Sequence, residues 1–284
     1  MQTRTQEVPK RPEASAPSYF DLQATWGVTK HFGGTDTTDA LAALCGIDRD
    51  AYVLDVGCGT GMTPCYLAET LGCRVVGVDL SERMIAWSRR RARRVRLDDR
   101  VAFTVADAQC LSFDDHTFDA VICESVTAFV ADKPRAVGEY ARLVRPGGYV
   151  GLAEGIWLAP PPADLAAYLA RVMGGADFLP PDAWSNLLAG AGLVDLVAQR
   201  SSISARRQWK SELQRMDRDE RQEYLHAWKT FGSLLVTSAS FRRYLRELRP
   251  PRSVLHLFDY FGYGIFVGRK SVDGTQARSE RSQR

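Results

Sequence analysis

Three carboxylates stand where a chain can turn them to chemistry. Asp55 follows the apolar pair Val53-Leu54 and precedes Val56-Gly57-Cys58-Gly59-Thr60-Gly61. Asp79 closes the run Arg74-Val75-Val76-Gly77-Val78, and Asp107 closes the run from Val101 to Ala106. A strand that turns tightly into a helix leaves backbone N–H groups pointing outward, and glycines let a ligand come close to that backbone. The spacing Gly-x-Gly-x-Gly differs from the Gly-x-Gly-x-x-Gly that seats a pyrophosphate on a helix N-terminus. Asp55, two residues before the first glycine, would repel a pyrophosphate and would suit a ligand carrying an ammonium group.

S-adenosylmethionine, with an amino-acid end and a sulfonium, meets that demand better than NAD. A carboxylate that ends the second strand, here Asp79, accepts hydrogen bonds from both ribose hydroxyls. Ser81 then caps the next helix. The stretch Asp55-Val56-Gly57-Cys58-Gly59-Thr60-Gly61 resembles the class I S-adenosylmethionine-dependent methyltransferases. So do Asp79-Leu80-Ser81 and Leu143-Val144-Arg145-Pro146-Gly147-Gly148. The placement of an acid at position 124 resembles the sterol and other prenyl-lipid C-methyltransferases, and the chain resembles methyltransferase type 11 and its ubiquinone-menaquinone group. The resemblance runs from about residue 50 to 155.

The resemblance implies a cofactor held by Asp55, Gly57, Cys58, Gly59, Gly61, Asp79, Leu80, Met84, Asp107, Ala108 and Cys123. Asp107 would accept from the adenine amino group, and the Ala108 N–H would meet a ring nitrogen. The product of the cofactor is S-adenosyl-L-homocysteine. No metal is expected for the transfer itself. Glu124 follows Ala120-Val121-Ile122-Cys123 and stands at the edge where ligands bind in such sheets. Its desolvation and the nearby sulfonium would pull its pKa in opposite directions, leaving it a candidate base. Glu154, past the fifth strand, and His31, in the turn His31-Phe32-Gly33-Gly34, are the other catalytic candidates.

The elements that must position these groups read as an α/β fold: a seven-stranded, doubly wound sheet with a helical lid insertion. Residues 1–17 form a polar tail, 18–270 the catalytic domain and 271–284 a second tail. Within the domain, 18–46 is a helical cap and 201–258 the helical insertion. Trp209, Leu213, Tyr224, Leu225, Trp228, Phe231, Leu234 and Leu235 give that insertion an apolar stripe. It serves as a lid or as a homodimer surface.

With 284 residues and 45% hydrophobic content, the chain can bury one good core plus an elaboration. A net charge of +3 gives no argument for nucleic acid. The basic run Arg89–Arg96 would be the contact surface of an RNA or protein methyltransferase, but it lacks interleaved aromatics and reads as a solvated helix face. The six cysteines contain no Cys-x-x-Cys pair, which argues against a zinc site and for reduced thiols in a cytoplasmic protein. No apolar run is long enough for a membrane span, and the N-terminus lacks the apolar core of a signal peptide. The expected activity is methyl transfer to a small apolar acceptor, a natural product or prenyl-lipid-like compound, with carbon as one acceptor atom. A S-adenosylmethionine-binding module without transferase activity is the remaining reading.

Overall fold

The computed structural model describes residues 31–203 and 248–272 as continuous stretches, together with 20, 23, 225, 229, 231–238, 241–243 and 246. In chain order come α1 (Gly34–Leu44), β1 (Tyr52–Val56), α2 (Met62–Leu71), β2 (Arg74–Asp79), α3 (Glu82–Arg94), β3 (Val101–Val105) and β4 (Phe118–Glu124). Then follow a 3-10 turn (Thr127–Phe129), α4 (Lys133–Leu143), β5 (Val144–Trp157), α5 (Ala163–Val172), α6 (Pro181–Gly190) and β6 (Leu193–Ser202). A second 3-10 turn (Arg252–His256), α7 (Leu257–Tyr260) and β7 (Phe261–Lys270) complete the series.

The strands form one seven-stranded sheet in the order β3-β2-β1-β4-β5-β7-β6. The pairs from β3 across to β5 are parallel, and β7 runs antiparallel to both β5 and β6. Parallel strands are covered on both faces, so β1, β2 and β4 read as continuous apolar runs rather than alternating ones. One face carries α1, α2 and α3 through Leu41, Cys65, Leu67 and Ile85. The other carries α4, α5 and α6 through Val137, Tyr140, Leu169, Trp184 and Leu188.

Local chemistry sets the boundaries. Gly72, at φ 77°, ends α2 in the left-handed conformation that glycine adopts without strain. The Ser81 hydroxyl accepts from Met84 N at the start of α3. Asp132 caps α4 by accepting from Arg135 N at 3.0 Å. Arg145–Gly148 lies inside β5 as an irregularity: Phe118 pairs with Val144 and Ala120 with Tyr149. Helix α1 begins at Gly34, because Gly33 at φ 82° turns the chain directly into it.

Of the expected insertion at 201–258, residues 201 and 202 belong to β6, 231–237 are helical and 252–256 form a 3-10 turn. Trp209, Leu213, Tyr224 and Trp228 lie outside the described residues, as do 1–17 and 273–284. Among the described residues no helix is long and apolar enough to cross a membrane.

Candidate active site

The alternation of strand side chains decides which groups meet. Asp55 follows Val53 onto the α1–α3 face, and Glu124 follows Ala120 and Ile122 onto the same face. The loop between β1 and α2 then turns under them. Gly57, Gly59 and Gly61 have φ of 78°, 53° and 77°, the left-handed region that favours glycine. A Cβ at Gly57 would lie 2.8 Å from Val126 Cβ and collide with its methyls. The loop is pinned from outside: Gly57 N and Cys58 N both donate to Val78 O, at 2.7 and 2.9 Å.

Asp79 holds the same loop. Its Oδ2 accepts from Gly59 N at 3.0 Å and its Oδ1 from Ser81 N at 2.9 Å. Burial pushes its pKa up, against the pull of those two N–H groups. Each oxygen retains a second lone pair, so the carboxylate can still accept from a ribose. Asp55 is buried and its Oδ2 accepts no hydrogen bond. Burial drives its pKa well above the carboxylate range, with Glu124 and then Asp79 adding to the rise. An orphaned buried carboxylate beside a glycine cradle fits a ligand that brings a positive charge, as S-adenosylmethionine does. Further along the edge, Leu80 is 60% exposed and offers an apolar surface. Asp107 is exposed, with Oδ1 accepting from Gln109 N at 2.9 Å, and Ala108 is half-buried beside it.

Glu124 is met by two hydroxyl donors and a histidine ring, from three segments. Thr38 Oγ1, on α1, donates to Oε1 at 3.0 Å, and Thr63 Oγ1, on α2, donates to Oε2 at 2.7 Å. His31 Nδ1 lies 3.5 Å from Oε1, and His31 Nε2 lies 3.4 Å from Thr38 Oγ1. Both side chains are largely covered, at 11% and 4% exposure. The structure thus joins two of the three expected catalytic residues, His31 and Glu124. Next to them, Phe32 N donates to Ser125 Oγ at 3.1 Å. Phe32 also packs edge-to-face on Phe261 at 5.5 Å and on Phe178 at 6.3 Å, and Trp157 closes on Phe261 at 5.3 Å.

Three expectations need correction. Glu154 is wholly buried on the opposite face, among the α4–α6 contacts, so it is not placed to meet an acceptor as a catalytic group. Its Oε1 accepts from Val126 N at 3.2 Å and Thr127 N at 2.7 Å. Cys123 also points to that face. It lies 3.1 Å from Thr127 Oγ1 and receives the Tyr140 hydroxyl at 3.9 Å, so its side chain is core and not a cofactor contact. Met84 is 4% exposed and packs inward from α3, not into the open edge. Cys58 is buried with Sγ 3.9 Å from Ser88 Oγ, so it contributes its backbone to the loop.

Sequence reading passed over Thr38, Thr63 and Ser125. Hydroxyls carry no pattern of their own, and these come from three separate elements. Ser125 gives one signal only in structure: it is a non-glycine residue at φ 59°. Within the basic run, Arg89 donates to Phe103 O at 2.8 Å and Arg91 to Thr60 O at 3.0 Å, so two of its members brace the sheet and the loop. No group of three or more His, Cys, Asp or Glu among the described residues is arranged to hold a metal.

Comparison with known proteins agrees with this geometry. Residues 54–152 match the family model of the methyltransferase domain. The 27-O-demethylrifamycin SV methyltransferase of Amycolatopsis mediterranei is 29% identical over 244 residues, 80% of this chain and 88% of that protein. Phosphoethanolamine N-methyltransferase 1 of Arabidopsis thaliana is 30% identical over 190 residues, 66% of this chain, which spans only 38% of that longer relative. Among solved structures, phosphoethanolamine N-methyltransferase 2 of Haemonchus contortus with S-adenosyl-L-methionine superposes at a TM-score of 0.63 with 21% identity, over 88% of this chain and 57% of that one. The strand order, the glycine loop with its acids and these matches agree in giving residues 54–152 a methyltransferase domain of the S-adenosylmethionine-dependent type.

Proposed function

We propose that this methyltransferase acts on a hydroxyl of a small, largely apolar acceptor, with His31 as general base and Glu124 orienting it. The observation that carries the proposal is the Glu124–His31 approach of 3.5 Å at the carboxyl edge of the sheet, beside Asp55. When bound, S-adenosylmethionine supplies an electrophilic methyl group on sulfur. Asp55, Asp79 and the Gly57–Gly61 backbone would hold it, with Asp107 and Ala108 toward the adenine.

The chain's own residues then have two tasks. The first is to take a proton from the acceptor as its oxygen becomes nucleophilic. Thr38 and Thr63 fill lone pairs on both Glu124 oxygens, which fixes that carboxylate and leaves it poorly placed to act as the base itself. In the tautomer with Nδ1–H toward Glu124, Nε2 is the basic nitrogen, and the Thr38 hydroxyl 3.4 Å away must turn its proton from Glu124 to the ring or yield its place to the acceptor's O–H. The second task is to exclude water. Half-buried Phe32 and Trp157, backed by Phe178 and Phe261, supply an apolar wall for this. That the Amycolatopsis relative acts on 27-O-demethylrifamycin SV supports an oxygen acceptor on such a scaffold. The aromatic wall favours a second reading, transfer to carbon of an apolar alkene, where ring faces stabilise a developing cation.

The test is turnover with 27-O-demethylrifamycin SV and with phosphoethanolamine, followed by mass spectrometry. His31→Ala should lower turnover on a hydroxyl acceptor by about 10²–10⁴, the worth of a positioned base, while S-adenosylhomocysteine binding stays unchanged. Full activity of His31→Ala would remove the histidine from the mechanism and leave the carbon-acceptor reading.

A further inference from the structure

Glu154 is a fully buried acid that the proton transfer does not use. Its Oε1 collects the backbone N–H groups of Val126 and Thr127, which open the 3-10 turn Thr127–Phe129 after β4. Its Oε2 accepts nothing. The residues it holds are the ones that touch the site from below. The isopropyl group of Val126 fills the space a side chain at Gly57 would need, so it bears on the glycine loop directly. One residue earlier, Ser125 is held in the left-handed region, and its Oγ receives Phe32 N from the segment that carries His31. A left-handed serine is sparsely populated and persists only where its surroundings over-determine it. Two charge-assisted N–H bonds from the next two residues do that.

We infer that Glu154 is a positioning residue for the methyl transfer. Through the Val126 and Thr127 N–H groups it sets the place of Val126 against Gly57 on the cofactor side and of Ser125 against Phe32 on the acceptor side. The chain of contact is short: one carboxylate oxygen, one turn, then the glycine loop and the His31 segment. This rests on the reading of the Gly57–Gly61 loop as the cofactor site.

The test is calorimetry of S-adenosylhomocysteine with full-length variants whose folding is checked by thermal melting. Glu154→Leu removes the acceptor at similar size and should weaken binding about tenfold while the protein still melts cooperatively, since misplacement by a fraction of an ångström is enough. Glu154→Gln keeps an oxygen at the Oε1 position and should stay within about threefold of the wild type, because both N–H groups retain their partner. Val126→Ala should weaken binding about threefold, and adding it to Glu154→Leu should cost nothing further, because contacting residues in one chain are not additive. Unchanged affinity in folded Glu154→Leu, or equal loss in Glu154→Gln, overturns the inference. Should Glu154→Leu fail to fold, Val126→Ala decides: unchanged affinity there overturns it. Asp79→Ala is run beside them. Its failure to weaken binding would sink the cofactor-site reading, whereas weakening by Asp79→Ala alone would sink only the role of Glu154.

Discussion

Two adjacent strands of this sheet carry buried glutamates, Glu124 at the end of β4 and Glu154 inside β5, and the two do different work. Glu124 on β4 pairs in register with Ala153 on β5, so Glu154 is one residue further along and faces the other side. Glu124 is dressed by side chains from α1, α2 and the segment before α1, and every donor can re-orient by a bond rotation. Glu154 is dressed chiefly by the backbone N–H groups of Val126 and Thr127, which cannot, with the Thr127 hydroxyl and the Ala128 N–H also turned to it. The partner type therefore separates a carboxylate that gathers side chains at the acceptor corner from one that holds a backbone turn still. Residue type and strand position alone do not distinguish them.

The largest test of the contrast is Glu124→Gln. Turnover should fall by about 10²–10⁴, the range for a positioned base and its support. The double variant His31→Ala, Glu124→Gln should be no slower than His31→Ala alone, as expected of residues acting as a unit. Multiplying losses in single-turnover rates would separate the two residues and break the pairing.

The second test uses pH. Burial raises the Glu154 pKa from 4.5 to about 7. An acid whose folded pKa is raised binds its proton more tightly when folded. The contribution of Glu154 to stability is therefore greatest below pH 4.5, falls as pH rises toward about 7, and then levels off. The penalty reaches about 3 kcal/mol above that window. Denaturant melts at pH 5 and pH 8 should show Glu154→Gln more stable than wild type at pH 8 and nearly equal at pH 5. Asp55, whose pKa is also raised, contributes to both proteins alike and cancels in the difference. A gap that is the same at both pH values would mean that Glu154 does not titrate there.

The third is smaller. Asp79→Ala should weaken S-adenosylhomocysteine binding by about 1.5–3 kcal/mol, the scale of lost hydrogen bonds to a charged group. Calorimetry that returns the wild-type constant would place the ribose elsewhere. The smallest concerns a group outside both acid clusters. Ser81→Ala should cost about 0.5–1 kcal/mol of folding stability by uncapping α3 and leave turnover unchanged. A melt shift larger than that of Asp79→Ala would show that the cap also braces the loop.

The glycine loop, β2 with Asp79 and the helix start at Ser81 were legible in the sequence, because each is written in local chemistry: glycine spacing, an acid after an apolar run, a capping side chain. The phase of the strands was not. Where both faces of a strand are buried, apolar residues occupy odd and even positions alike, and nothing in Cys123-Glu124 or Ala153-Glu154 says which side chain goes to which face. Only the sheet order, with its register of Val56 on Cys123 and of Glu124 on Ala153, assigns them. That is why Glu154 and Cys123 read as site residues in sequence and proved to be core. Thr38, Thr63 and Ser125 were illegible for another reason: they converge on the Glu124–His31 corner from segments far apart in sequence.

The position of β7 has a consequence for how the chain is made. It is the last strand in sequence, yet it lies between β5 and β6 and supplies the sheet partner of β6. Synthesis delivers about 5–20 residues per second, so β1 to β5 emerge and can pair long before residues 261–270 leave the ribosome. In that interval the outer side of β5, from Tyr149 to Trp157, is an open edge with unpaired N–H and C=O groups. A nascent chain at that stage would already own its glycine loop and both glutamate clusters. It would also carry a nine-residue apolar template for pairing with another chain, closed only when Phe261–Lys270 slides in.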